Sequence, residues 1–285
     1  MQTALTKLVG CRYPIIAGPM FLVSDETLTA AVCKTGATAA LPSLNWRTPE
    51  LFREAIQKTK KLSEGAPFGV NLIVNKANPR LKEDLDICVE ENISFVITSL
   101  GNPKTVIEKM HSIGSKVFCD VTTLEYAQKV ENLGADAVIA VSSGAGGHAG
   151  GLSPFVLIPY LKKNISLPII AAGGIACGEQ MAAALVLGAA GVQLGTRFIA
   201  SEEAKVSLEY KNAILKAVPE DIILTTKISG TPAAVINTPQ LENSLETASW
   251  KNVWSAGQSV GLIENILPVS KIVEDLIRNY KKTLS

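Results

Sequence analysis

The stretch LPIIAAGGIACGEQMAAALVLGAAGVQLGTRF, residues 167–198, contains the pattern that decides the fold. It opens on a continuous apolar run, Pro168 to Ala172, which does not alternate with polar residues as a half-exposed strand would. Such a run reads as a strand buried on both faces. Gly173 and Gly174 end it, an alanine-rich helical segment follows from Gly178 to Gly188, and a second apolar run begins at Gly191. Strand, glycine turn, helix, glycine turn, strand is the grammar of a parallel α/β unit.

The same grammar extends in both directions. Apolar runs closed by glycine, proline, serine or asparagine lie at 13–20, 37–43, 67–74, 94–100, 116–121 and 136–141, ahead of those at 167–174 and 191–198. Helical segments separate them. SDETLTAAVCKTG carries an expected cap at Ser24, and TPELFREAIQKTKKL has threonine, proline and glutamate at its start, the residues that favour a first turn. Eight strands alternating with seven helices, at about thirty residues per unit, predict closure into a (β/α)8 barrel. An open doubly wound sheet would want GxGxxG behind an early strand, but the first strand ends in AGPM, residues 17–20. Residues 1–285 read as one barrel domain. The irregular segment 201–256 reads as an excursion at the mouth or edge, and a closing helix or helix pair then either covers the barrel wall or pairs two subunits in a homodimer.

Composition narrows the function. A net charge of +1 with scattered lysines and arginines gives no electrostatic reason to bind nucleic acid or a membrane surface. Five widely spaced cysteines form neither a CxxC pair nor a zinc spacing, which suits a reducing cytoplasm better than a disulfide scaffold. The N-terminus lacks a signal-type apolar stretch, and the most apolar later run falls short of the ~20 residues that a membrane span needs.

In a barrel the chemistry gathers where strands end at the C-terminal face. Those ends deliver Gly18, Pro19 and Met20, then Asn71, Asp120 and Thr122, then Ser142 and the run SSGAGGHAGG (142–151) with His148, then Gly173 and Gly174, and last Gly195 and Thr196. One carboxylate and one imidazole do not make a metal site, and they do not supply the paired carboxylates of a glycosidase. Glycine turns at the seventh and eighth strands instead suit a phosphate-bearing cofactor, held by backbone N–H groups with a hydroxyl from Thr196. FMN is the redox cofactor that fits best. Its phosphate would sit at those two turns, its ring against AGPM, and the Asn71 carboxamide at the ring edge. His148 would stand over the ring as an acid–base group. The other histidine, His111, falls in a helix tail and reads as a surface residue.

PIIAGPM, PFGVNL, GADAVIAV, AGGHAGG, PIIAAGGI, GAAGVQLGTRFIASEEA and WSAGQSVGLI together resemble the nitronate monooxygenase family, formerly the 2-nitropropane dioxygenases. The flavin-dependent enoyl-acyl-carrier-protein reductases belong to the same superfamily. The resemblance implies an FMN-bearing barrel, flavin contacts at Asn71, Gly146, Gly174, Gln193, Leu194, Gly195 and Thr196, a place near the cofactor for Gln258, and an active-site histidine at His148. It implies oxidation of alkyl nitronates or nitroalkanes by O2 to a carbonyl compound and nitrite. The alternative branch implies NAD(P)H-dependent reduction of an enoyl thioester, and a non-redox phosphate-binding barrel is a further alternative. The family pattern at the end of the sixth strand is QGxEAGGH. Here the run is VSSGAGGH, with Val141 in place of the glutamine and Gly144 in place of the glutamate.

Overall fold

The computed structural model describes residues 1–238, 249–251 and 253–285. Eight parallel strands close a barrel: β1 (Ile15–Ala17), β2 (Thr38–Pro42), β3 (Gly69–Ile73), β4 (Phe95–Ser99), β5 (Lys116–Val121), β6 (Ala137–Val141), β8 (Ile169–Ala172) and β9 (Gly191–Leu194), with β9 returning to pair with β1. Every strand expected from an apolar run is present. The two-residue β7 (Gly147–His148) lies off the barrel. It forms a small antiparallel sheet with β10 (Ile222–Thr225) and β11 (Ala233–Ile236), in which His148 is paired with Ala233. The rest of the 201–256 segment lies partly outside the described residues.

The seven expected helices are α2 (Glu26–Lys34), α3 (Pro49–Leu62), α4 (Leu81–Glu90), α5 (Lys104–His111), α6 (Leu124–Asn132), α7 (Pro154–Asn164) and α8 (Gly178–Val186). Thr48 caps α3 as its sequence suggests. The cap of α2 is a correction: Asp25, not Ser24, accepts the N–H groups of Thr27 and Leu28. Ser24 turns back to the β1 loop, where its Oγ accepts from the Met20 N–H and donates to Gly18 O. A carboxylate at the positive end of a helix is the stronger cap, so the serine is left to brace the loop. The C-terminal helix, Val269–Leu284, buries Val269, Ile272, Val273, Leu276 and Ile277. Its backbone passes so close to Gly178, at the start of α8, that any Cβ there would strike it. That face therefore covers the barrel wall.

Side-chain parity along the strands sorts the core into two parts. Ile15, Ala39, Val70, Val96, Val117, Val138, Ala171 and Val192 point outward to the helices. Ile16, Ala40, Phe95, Ile97, Phe118, Ala137, Ile139 and Ile170 fill the barrel interior, where the rings of Phe95 and Phe118 stack at 5.1 Å. The helix α1 (Ala4–Val9) has no counterpart among the expected elements. It is six residues long, held by a capping box at Thr3, and it sends the fully buried Leu5 into the interior cluster. Leu5 presses on Gly191, which must lack a Cβ to admit it. Leu5→Ala should cost about 2–5 kcal/mol, measured as a lowered midpoint of chemical unfolding.

Candidate active site

Carrying the inward parity one step further defines the floor of the site. The next inward positions after the interior layers are Gly18, Pro42, Asn71, Ser99, Asp120, Val141, Ala172 and Gln193, one from each strand, and all of them line a single cavity of about 1020 Å³ at the C-terminal face. Its size lies at the upper end of ordinary ligand pockets. Pro19, Met20, Gly146, His148, Gly173, Gly174, Leu194, Gly195 and Thr196 line it as well. Two expected site residues do not. Ser142 is buried, and its Oγ donates to Ala172 O at 2.8 Å, tying the ends of β6 and β8 together. Gln258 is exposed and contributes only its backbone N–H, donated to Gly144 O at 3.2 Å, while its neighbour Ser259 reaches the cavity.

The polar floor has a fixed direction of donation. Asn71 Nδ2 donates to Ile97 O at 3.1 Å, and because a carbonyl only accepts, the amide nitrogen must face it. Its second N–H goes to Ser99 Oγ at 2.8 Å, and Ser99 passes its own proton to Asp120 Oδ2 at 2.5 Å. Asn71 therefore keeps its oxygen to meet a ligand's donor. Gln193 Oε1 and Asp120 Oδ1 are buried with no partner among the described residues. Asp120 touches open space only through the cavity, and this burial pushes its pKa up to about 6 against the opposing pull of the Ser99 hydrogen bond. Ser99 was missing from the sequence reading, although it follows Phe95 and Ile97 on the inward parity of β4.

The glycines divide into two kinds. A Cβ on Gly144 would lie 2.9 Å from Gly174 N, and one on Gly146 would lie 2.7 Å from the backbone of Ala256 and Gly257. These two glycines let the β6 loop, the β8 loop and the segment before Gln258 pack backbone on backbone. Gly144 O also accepts the Gly174 N–H at 3.0 Å, so that amide is spent inside the protein. The absence of a glutamate at residue 144 thus coincides with a contact too close for any side chain. Gly195 is different: a Cβ there would meet only Met20, at an ordinary 3.5 Å. Thr196 Oγ1 beside it accepts the Gly257 N–H at 3.0 Å, and its hydroxyl proton remains available for donation.

His148 enters from the side, on β7. Its Nε2 is 3.0 Å from Ser229 Oγ, and its ring meets Trp250 edge-on at 5.2 Å. Partial burial lowers its pKa below that of a free histidine, so the ring is neutral near pH 7. Neither Ser229 nor Trp250 was expected, since both reach His148 from far along the chain through the antiparallel sheet. His111, in contrast, sits on the outer surface with its Nε2 2.8 Å from Asp136.

Comparison with known proteins agrees with this architecture. The model of the nitronate monooxygenase family matches residues 2–252. A (3aS,4S,5R,7aS)-5-hydroxy-7a-methyl-1-oxo-octahydro-1H-indene-4-carboxyl-CoA dehydrogenase of Rhodococcus jostii is 35% identical over 246 residues, which is 86% of this chain and 68% of that protein. FabK from Thermotoga maritima superposes with a TM-score of 0.91 at 36% identity, covering 100% of this chain and 97% of that one. Nitroalkane oxidase from Streptomyces ansochromogenes superposes with a TM-score of 0.89 at 26% identity, over 99% of both chains. With a family match across most of its length, and an eight-stranded barrel whose C-terminal face holds a histidine over a polar floor, the chain belongs to the nitronate monooxygenase family of flavin-dependent oxidoreductases.

Proposed function

We propose that the chain binds FMN and oxidises alkyl nitronates with O2 to the carbonyl compound and nitrite. The observation that carries the cofactor is the floor of the cavity. The oxygens of Asn71 and Gln193 have no hydrogen-bond partner among the described residues, and they suit a ligand rich in hydroxyl and N–H donors, as the flavin ring and its ribityl chain are. Gly195 and the Thr196 hydroxyl offer an open turn for the phosphate, with Gly18, Pro19, Met20, Gly173, Gly174 and Leu194 around it. Bound there, FMN would supply the redox chemistry, taking electrons from the substrate and passing them to O2. His148, neutral at pH 7, takes the α proton when the substrate arrives as a neutral nitroalkane. Five free cysteines, four of them buried, suit residence in the cytoplasm.

A second reading is favoured by one comparison. The Rhodococcus jostii relative is named as a dehydrogenase of a carboxyl-CoA, which favours a thioester substrate, the substrate class of the alternative in which NAD(P)H reduces an enoyl thioester. Anaerobic mixing separates the two readings. Bleaching of the flavin absorbance by a nitronate, with no response to NADH or NADPH, is the expected result. Rapid bleaching by a nicotinamide alone would move the assignment to the reductase branch. A protein that shows no flavin absorbance after reconstitution with FMN would overturn both.

A further inference from the structure

We propose that Asp120 is a specificity-determining residue that admits an anionic substrate by taking up a proton, so that one proton enters the site with each anion bound. The inference rests on the reading of the cavity as a nitronate site. A nitronate is an anion, and the cavity it must enter already carries a buried carboxylate.

The surroundings of Asp120 do not neutralise that charge. On β4, Ser99 donates one hydrogen bond to Oδ2, and Asn71 on β3 acts only through Ser99. On α6, Tyr126 has its hydroxyl committed to Gly101 O. Cys119 on the same strand is a buried thiol, and β6 sends only apolar side chains toward the barrel. Among the described residues no cation forms an ion pair with Asp120. Of the cationic side chains that line the cavity, Lys205 is held by Asp25 at 2.9 Å and Thr27 at 2.7 Å, and Lys251 is exposed. The remaining titratable groups lining the cavity are His148, neutral near pH 7, and Tyr210, which burial keeps protonated with its hydroxyl donated to Ser255 O.

An anion entering this space meets a like charge at low dielectric, which favours the protonated carboxyl. The group is already poised for this, because burial places its pKa at about 6 and, among the described residues, none donates a hydrogen bond to Oδ1 to hold it ionised. The consequence is quantitative. Above pH 6 the neutral fraction of Asp120 falls about tenfold per pH unit, so the apparent affinity for an anion falls by the same factor and is about 100-fold weaker at pH 8 than at low pH. A neutral ligand of the same shape has no such dependence.

The test uses isobutyrate, a stable planar anion with the outline of propane-2-nitronate, and isobutyramide as its neutral counterpart. Binding to the protein as purified is followed by the fluorescence of Trp250 and Trp254, which line the cavity, from pH 5 to pH 9. Proton uptake is measured with a dye in weak buffer. Wild type should lose isobutyrate affinity about tenfold per pH unit above the Asp120 pKa, with close to one proton taken up per anion, while isobutyramide binding stays flat. Asp120→Asn should flatten the isobutyrate profile and bind it up to about 100-fold more tightly than wild type at pH 8. Ser99→Ala, which removes the bond that favours the ionised form, should move the break to higher pH without changing its slope. An unchanged slope in Asp120→Asn would assign the titration to His148 and overturn the proposal. A flat wild-type profile, or no saturable isobutyrate binding at pH 5, would overturn it too. If the isobutyrate profile is as expected but nitronates are not oxidised, the anion site stands and the proposed activity falls.

Discussion

His148→Ala should cut turnover of a neutral nitroalkane by about 10²–10⁴-fold, the usual contribution of a positioned general base, and should leave oxidation of a pre-formed nitronate nearly intact. The two substrate forms differ by the one proton that the imidazole is placed to remove. The structure supplies what a base needs. The ring is held by the pairing of His148 with Ala233, by Ser229 at 3.0 Å and by the edge of Trp250, so its position is set before substrate arrives. Partial burial depresses its pKa, so the basic form persists to pH values below that of a free histidine, and nitroalkane turnover should fall only on the acid side of that range. The flavin absorbance should survive, because the imidazole is not among the groups assigned to hold the cofactor. Steady-state rates on both forms across pH decide the matter. Equal losses on nitroalkane and nitronate would make His148 a binding or electrostatic group instead of a base.

Gly195→Leu should strip the protein of FMN while leaving the barrel folded. A Cβ at this position meets only Met20, at 3.5 Å, so the backbone accepts a side chain and the leucine projects into the volume assigned to the cofactor. Forcing extra methylenes into an occupied site costs about 1–3 kcal/mol, which weakens FMN by roughly 10–100-fold. The contrast is Gly191→Leu, where the side chain would collide with Leu5 and the Pro14 carbonyl in the barrel interior. That variant should lose the fold before it loses the flavin. Flavin absorbance after desalting, read beside the thermal melt, separates the two. Full FMN retention in a folded Gly195→Leu protein would move the phosphate away from the turn after β9.

The eight strands were legible because each is buried on both faces. A continuous apolar run such as PIIAA at 168–172, punctuated by Gly173 and Gly174, has few other ways to satisfy both its side chains and its backbone. The strand ends then marked the C-terminal face, and with it Asn71, Asp120, His148 and Thr196 as residues of one rim, since a closed parallel barrel brings all such ends together. What a given end residue does there depended on the tertiary structure, because parity and loop contacts are long-range facts. Ser142 ends a strand but spends its hydroxyl on the neighbouring strand, and Ser99, on the inward parity of β4, orients Asp120. Gly144 and Gly146 look like a ligand cradle in sequence, yet they are glycines because other loops lie against them. Helix α1 is too short to announce itself by periodicity, and its role exists only because the barrel bottom is open for Leu5 to fill. The setting of His148 likewise depends on Ser229 and Trp250, which come within reach only once β10 and β11 fold back over the mouth.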